Sequence, residues 1–85
     1  MDNKTIDKHI KALGKLFPKT FLKHADEFYG TTGVYNGLWT GFGEDGGYDY
    51  WTHYTHPKLQ KYLDKHELHI EPNDPGTVMI FSSKS

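Results

Sequence analysis

The stretch from Gly33 to Tyr54 constrains the fold of this 85-residue chain more than any other. It holds both tryptophans, four of the six tyrosines and six of the nine glycines. Aromatic residues favour strands. Asp45-Gly46 between two such runs is a strong signal for a tight turn, because a type I′ turn needs positive φ at both central residues. We therefore predict a β-hairpin that turns at Asp45-Gly46.

Pairing around this turn places Thr40 opposite Trp51 and Trp39 opposite Thr52, and side chains alternate between the two faces of a sheet. One face then provides core residues: Val34, Asn36, Leu38, Thr40, Phe42, Asp49, Trp51 and His53. The other face is an exposed aromatic surface: Tyr35, Trp39, Tyr48, Tyr50 and Tyr54. A register shifted by one residue, with Phe42 opposite Tyr48, is the alternative, and it places Trp39 opposite Trp51.

Residues 5 to 28 show the periodicity of an amphipathic helix. The apolar positions recur at intervals of three, four or seven: Ile6, Ile10, Leu13, Phe17, Phe21 and Phe28. Pro18 cannot donate the helical hydrogen bond, so the segment is predicted as two helices or one kinked helix, with Pro18 opening the second part. Asn3 or Thr5 is the predicted N-cap, and Gly30 is the predicted end.

The segment after the hairpin predicts a third helix and a final strand. Thr55 is the predicted N-cap of a helix that has Pro57 in its first turn and runs to about Leu68. Residues 69–71 are expected to be extended, and Asp74-Pro75-Gly76-Thr77 suits a type II turn. Residues 77–81 read as a strand because of their β-branched content, and residues 82–85 as a flexible tail.

The order of these elements predicts an α+β fold in a single domain of residues 1–85. Two N-terminal helices (or one kinked at Pro18) precede the β-hairpin, a third helix and a C-terminal strand. The strands form a small, mainly antiparallel sheet with helices on one face.

Composition narrows the functional classes. The chain has no cysteine, which excludes disulfides and thiolate chemistry. The sequence lacks an apolar signal core and any apolar run of membrane-spanning length, so we expect a cytoplasmic protein with no membrane contact. All ten basic residues are lysine. This excludes bidentate guanidinium recognition and is typical of an AT-rich coding sequence, as in low-GC bacteria and their phages.

Charge is segregated along the chain. Residues 1–25 carry six lysines against two aspartates, and residues 26–54 carry five acidic residues and no lysine. The acidic and aromatic residues of the hairpin form the predicted binding site: Tyr35, Trp39, Glu44, Asp45, Tyr48, Asp49, Tyr50 and Tyr54. They favour a non-enzymatic module that binds a protein partner, and the acidic residues favour a basic partner because they would steer it. An inhibitor-like accessory protein of a phage or mobile element, acting on a host protein, is the hypothesis by analogy.

The same residues support other interpretations. The lysines of the N-terminal segment could contact phosphates while the hairpin aromatics stack on bases of a single-stranded nucleic acid. This alternative face comprises Lys4, Lys8, Lys11, Lys15, Lys19 and Lys23. The stripe also fits the solvated side of an amphipathic helix. The aromatic face could instead join copies of the chain into a homo-oligomer, or its rings could cover the glycines of the neighbouring strand.

Histidine chemistry is the third class. Two pairs have His-x-x-His spacing, His53/His56 and His66/His69. The second pair is one residue short of the His-Glu-x-x-His pattern of zinc proteases. Asp49 and His53 lie about 13 Å apart if both are in one strand, too far for a paired acid and base. A histidine-metal hydrolase is therefore the weakest alternative, and the sequence predicts no metal, no cofactor and no catalytic residues.

Overall fold

A computed structural model describes residues 1–83 of the chain. Within them the chain forms four helices and four strands: α1 (Asn3–Leu16), β1 (Leu22–His24), α2 (Ala25–Tyr29), β2 (Leu38–Thr40), α3 (Phe42–Asp45), α4 (Pro57–His66), β3 (Leu68–Asp74) and β4 (Thr77–Ser82). The strands form one antiparallel sheet in the order β1-β2-β4-β3. The predicted α+β class with a small antiparallel sheet is confirmed.

The main core lies between one face of the sheet and helices α1 and α4. Alternate residues of β2 and β4 point into it, and both helices add apolar side chains along one stripe. Its most buried members are Ile6, Leu13, Leu38, Phe42, Leu59, Leu63, Val78 and Ile80. No helix within residues 1–83 combines the length and the apolar character that crossing a membrane requires.

The predicted hairpin at Asp45-Gly46 is wrong in both of its registers. Strand β2 pairs instead with β1 and β4, so that Trp39 faces Lys23 on one side and Met79 on the other. The chain then turns into the short helix α3, and Gly46 ends that helix with φ 83°. Strand β2 pairs with β4 because β4 presents a continuous run of apolar residues to it. A backbone carbonyl of β4 also accepts a hydrogen bond from the Thr40 hydroxyl.

The N-terminal helical segment is shorter than predicted. Helix α1 ends at Leu16, and its N-cap is Asp2, whose carboxylate accepts from the Thr5 backbone N–H at 2.8 Å. Pro18 opens no second helix; a turn and strand β1 follow, because pairing with β2 outweighs the helical periodicity. Gly30 ends α2 in the left-handed conformation, as predicted.

The C-terminal half follows the prediction more closely. Helix α4 has Pro57 in its first turn, but His56 rather than Thr55 is its N-cap. Strands β3 and β4 form the actual hairpin. Gly76 is not among the glycines with positive φ, so its turn is not type II. Residues 82 and 83 are not a tail: Ser82 ends β4, and the Ser83 backbone N–H donates to the Glu67 carbonyl. The rest of the predicted tail, Lys84 and Ser85, lies outside the described residues.

Helix α3 packs directly against the β3–β4 turn. A Cβ atom on Gly43 would lie 2.4 Å from the carbonyl oxygen of Pro75, a backbone atom that cannot rotate away. A Cβ atom on Gly76 would lie 3.1 Å from Cγ of Glu44. Glycine at position 43 is therefore a requirement of this contact rather than of a turn.

We expect Gly43→Ala to lower the free energy of unfolding by about 1–3 kcal/mol, as overpacking does. Gly14→Ala is the matched control, because its Cβ would lie at an ordinary 3.7 Å from Leu22 inside helix α1. That change should stabilise the protein by about 0.5–1 kcal/mol. Urea denaturation followed by circular dichroism measures both values. Equal effects of the two substitutions would show that α3 does not pack this closely on the turn.

Candidate functional site

A cleft opens where helix α3, the following loop and the β3–β4 turn meet. Its volume is about 340 Å³, and we call it the acidic aromatic cleft. Its lining residues are Gly43, Glu44, Gly46, Tyr48, Asp49, Tyr50, Trp51, Tyr54 and Pro75. Two carboxylates and four aromatic rings therefore share one concave surface.

The loop that forms one wall is closed by hydrogen bonds around Asp49. The Asp49 backbone N–H donates to the Tyr54 carbonyl at 2.8 Å, and the His53 N–H donates to the Asp49 carbonyl at 2.8 Å. The Asp49 carboxylate accepts from the Trp51 backbone N–H at 2.9 Å. This last bond is the main reason that the pKa of Asp49 lies below its usual value. The carboxylate thus shapes the loop and keeps its negative charge at neutral pH.

Tyr48 forms the inner wall of the cleft. The side chain is 5% exposed, and its hydroxyl lies 2.7 Å from Nδ1 of His53. Burial raises the pKa of Tyr48 above its ordinary value. An isolated bridge between Tyr48 and Thr55 closes the base of the loop. Tyr48 therefore positions the loop more than it offers surface to a ligand.

The outer rim presents aromatic surface to solvent. Trp51 is 76% exposed and Tyr54 is 53% exposed. The Tyr50 ring meets the Trp51 ring edge to face, with centroids 5.0 Å apart. Glu44 is exposed on the opposite wall. Negative charge beside free aromatic faces suits a cation, because both the carboxylates and the ring quadrupoles attract it.

The cleft brings together five of the eight predicted binding residues: Glu44, Tyr48, Asp49, Tyr50 and Tyr54. Asp45 is exposed next to them in α3. Sequence reasoning missed Trp51, because the predicted register placed it in the core. The signal that could have found it is Asp49 two residues earlier, since an aspartate often accepts from the backbone N–H two positions on.

The other two predicted residues, Tyr35 and Trp39, lie outside the cleft. They belong to a second group of rings on the face of the sheet that points away from the main core. We call this group the sheet-face aromatic cluster; it comprises Phe21, Phe28, Tyr29, Tyr35 and Trp39. Phe21 and Phe28 each meet Trp39 edge to face at about 5 Å, and Tyr29 stacks on Tyr35 at 3.9 Å. The rings shield much of Trp39, whose indole N–H is buried without a partner among the described residues.

Asp26 holds the loop that carries Tyr35. The residue is 8% exposed, and its carboxylate accepts from the Thr31 hydroxyl at 2.7 Å and from the backbone N–H groups of Val34 and Tyr35 at 3.0 and 2.9 Å. These bonds, led by the one from Thr31, lower the pKa of Asp26 to about 2. A folded pKa below the unfolded value means that ionised Asp26 stabilises the native state.

The predicted lysine face is exposed along α1 and beyond it. Lys4, Lys8, Lys11, Lys15, Lys19 and Lys23 all lie at the surface. Lys23 reaches 4.0 Å from a Glu27 carboxylate oxygen, and its ammonium lies 5.8 Å from the Trp39 ring centroid. None of the six lines the acidic aromatic cleft.

The histidine pairs have separate surroundings. His53 contacts Tyr48, and Nδ1 of His56 caps α4. His69 lies 2.9 Å from a Glu71 carboxylate oxygen, whereas His66 packs against His9 in α1. Across residues 1–83, no three histidine, aspartate or glutamate side chains converge as metal ligands would.

Comparisons with protein-family models, with curated proteins and with solved structures find no match to this chain.

The pKa of Asp26 predicts a specific pH dependence. Its contribution to stability should be complete above the ordinary carboxyl pKa of 3.8 and disappear as pH falls towards about 2. Asp26→Asn should therefore destabilise the protein at neutral pH, and the gap to wild type should close across that interval. Thermal melts at a series of pH values measure this gap. Glu27→Gln is the control, because its exposed contact with Lys23 contributes little. A gap that is independent of pH would refute the assignment.

The two tryptophans should differ in their access to solvent. With Trp39→Phe, only the exposed Trp51 remains, and acrylamide should quench its fluorescence efficiently. With Trp51→Phe, the remaining Trp39 should be quenched several-fold less, since neighbouring rings cover it. This order is the reverse of the one that the hairpin register predicts. Similar quenching constants for the two variants would contradict the structure at this loop.

Proposed function

We propose that this protein is a binding module that takes a basic segment of a protein partner in the acidic aromatic cleft. The observation that carries the proposal is Trp51, which is 76% exposed at the rim of a cleft that also holds Glu44 and Asp49. When a partner covers such an exposed aromatic side chain, its apolar surface is removed from water, and this burial favours binding. Tryptophan is also among the residues that most often dominate the energy of protein interfaces.

The chemistry of the cleft favours a lysine or arginine side chain as the inserted group. The rings of Tyr50, Trp51 and Tyr54 offer faces for a cation–π contact, and the two carboxylates add a direct charge attraction. A volume of about 340 Å³ is near the lower end of the range for small-molecule sites, so one long side chain with its backbone fits it. Asp45 beside the cleft would add to the field that steers a basic partner.

A protein partner is supported better than a nucleic acid at this site. Phosphates would meet Glu44 and Asp49 at the same rings that would have to stack on bases, and like charges repel. The lysines that could neutralise phosphates lie outside the lining of the cleft. The possible origin of the chain in a phage or mobile element, and any effect on a host protein, stay predictions.

Replacing charge at the cleft separates these two ligand classes. We expect a labelled oligolysine peptide to bind the wild-type protein, and Glu44→Lys with Asp45→Lys to weaken that binding by slowing association. Labelled oligothymidine is the opposite probe, and the same double substitution should strengthen its binding. Fluorescence anisotropy at fixed salt measures both. Stronger oligolysine binding by the charge-reversed protein would refute the proposal.

The aromatic contribution has its own matched pair. Trp51→Ala should cost on the order of 2 kcal/mol of oligolysine binding, as a central aromatic anchor does. Tyr35→Ala removes an exposed ring of the sheet-face aromatic cluster and should leave oligolysine affinity nearly unchanged. Circular dichroism would check that both variants fold. Equal losses from the two substitutions would exclude the cleft as the site of contact.

A further inference from the structure

A second concave surface, of opposite charge, lies between the C-terminal end of α1 and helix α4. Its volume is about 220 Å³ and its lining residues are Leu16, Lys58, Lys61, Tyr62 and Lys65. We call it the lysine-rimmed groove. Leu16 is 40% exposed although its side chain is apolar, and the three lysines are exposed around it. The groove shares no residue with the acidic aromatic cleft.

The floor of the groove is apolar. Leu16 contributes an aliphatic side chain and Tyr62 contributes its ring. The Tyr62 hydroxyl is already engaged, because it lies 2.6 Å from Nδ1 of the buried His9. The groove therefore offers a partner apolar surface rather than a hydrogen-bonding group. It is smaller than the ~300–1,000 Å³ that small-molecule sites occupy, which suits one apolar side chain of a larger partner.

The rim carries three positive charges. Lys58, Lys61 and Lys65 are spaced by three and four residues, so they lie along one side of α4 over about 10 Å. No ion pair joins them to an acidic residue within residues 1–83. Three unpaired lysines side by side repel one another, and a partner with carboxylates at matching spacing would relieve that repulsion.

We propose that the lysine-rimmed groove binds an acidic amphipathic helix of a partner protein, with one apolar side chain against Leu16 and Tyr62 and carboxylates facing the lysines. A helix presents residues three and four apart on one side, which is the spacing of the lysines on α4. A nucleic acid is supported less well, because the floor offers one ring beside an aliphatic side chain, and His66 already packs on that ring at 4.3 Å. This inference does not depend on the proposed function of the cleft.

The test uses a labelled helical peptide with glutamates three and four residues apart around a single leucine. Wild-type protein should bind this peptide, and replacing its leucine with serine should weaken binding about tenfold. Lys58→Gln, Lys61→Gln and Lys65→Gln together should also weaken it about tenfold or more. The matched control replaces Lys4, Lys11 and Lys19 with glutamine, which removes as much charge from residues outside the groove, and should change affinity only slightly. Leu16→Ser is the second test of the floor and should act like the serine peptide.

Several outcomes would overturn the inference. Equal losses from the two lysine triples, or equal binding of the leucine and serine peptides, would reduce the contact to unspecific charge attraction. Tighter binding of oligothymidine than of the peptide, lost with the N-terminal triple, would assign the lysines to a nucleic acid. Tighter binding to anionic lipid vesicles would assign the groove to a membrane surface. Self-association in sedimentation experiments that the α4 triple abolishes would assign it to a second copy. The effect of Trp51→Ala on oligolysine binding tests only the acidic aromatic cleft, so the proposed function and this inference can fail independently.

Discussion

The close contact between Gly43 and the Pro75–Gly76 turn is the constraint on which the candidate site depends. It brings helix α3, which follows β2, against the far end of the β3–β4 hairpin, and Pro75 lies 32 positions after Gly43 in the chain. With no side chain at position 43, the backbone of α3 can approach the carbonyl of Pro75. This approach places Glu44 over the turn and directs the chain into the loop that carries Tyr50, Trp51 and Tyr54. The cleft is the space that remains between these parts.

The pairing of β2 with β4 explains why the predicted hairpin at Asp45-Gly46 does not form. Asp45-Gly46 is a strong hairpin signal on local grounds, and Gly46 does adopt positive φ. The predicted hairpin, however, would have had to pair β2 with residues 51–53, or with residues 50–52 in the shifted register. Strand β4 pairs with β2 instead and buries Val78 and Ile80 beside Leu38. Non-local pairing thus outweighed a local turn preference, and no short-range pattern reports that competition.

Several signals that depend on local physics gave correct predictions. The α+β class, the first turn of α4 at Pro57, the end of α2 at Gly30 and the strand after residue 76 follow from periodicity, capping and β-branched content. The site was predictable in part. The acidic and aromatic composition of residues 44–54 identified most of the cleft, because residues close in sequence stay close in a loop. The prediction that Trp39 belongs to the same surface was wrong, because that prediction depended on the register of the hairpin.

The two concave surfaces carry opposite charge. The acidic middle of the chain supplies the carboxylates of the cleft, whereas the lysines around the apolar groove come from α4 and not from the lysine-rich residues 1–25. The chain therefore presents two concave surfaces of opposite charge, each with exposed apolar or aromatic groups that a partner could cover. Two such surfaces suit a small protein that contacts more than one partner segment, since charge complementarity directs each contact to its own surface.

The most direct test of this account follows the two indole N–H signals in a ¹H–¹⁵N NMR spectrum during titration with oligolysine. Each tryptophan gives one signal, so Trp39 serves as a control for Trp51 within the same molecule. The account predicts that the Trp51 signal shifts progressively to saturation while the Trp39 signal stays in place. A shift of Trp39 with Trp51 unmoved, or saturable binding that moves neither signal, would contradict the assignment of the acidic aromatic cleft as the binding site.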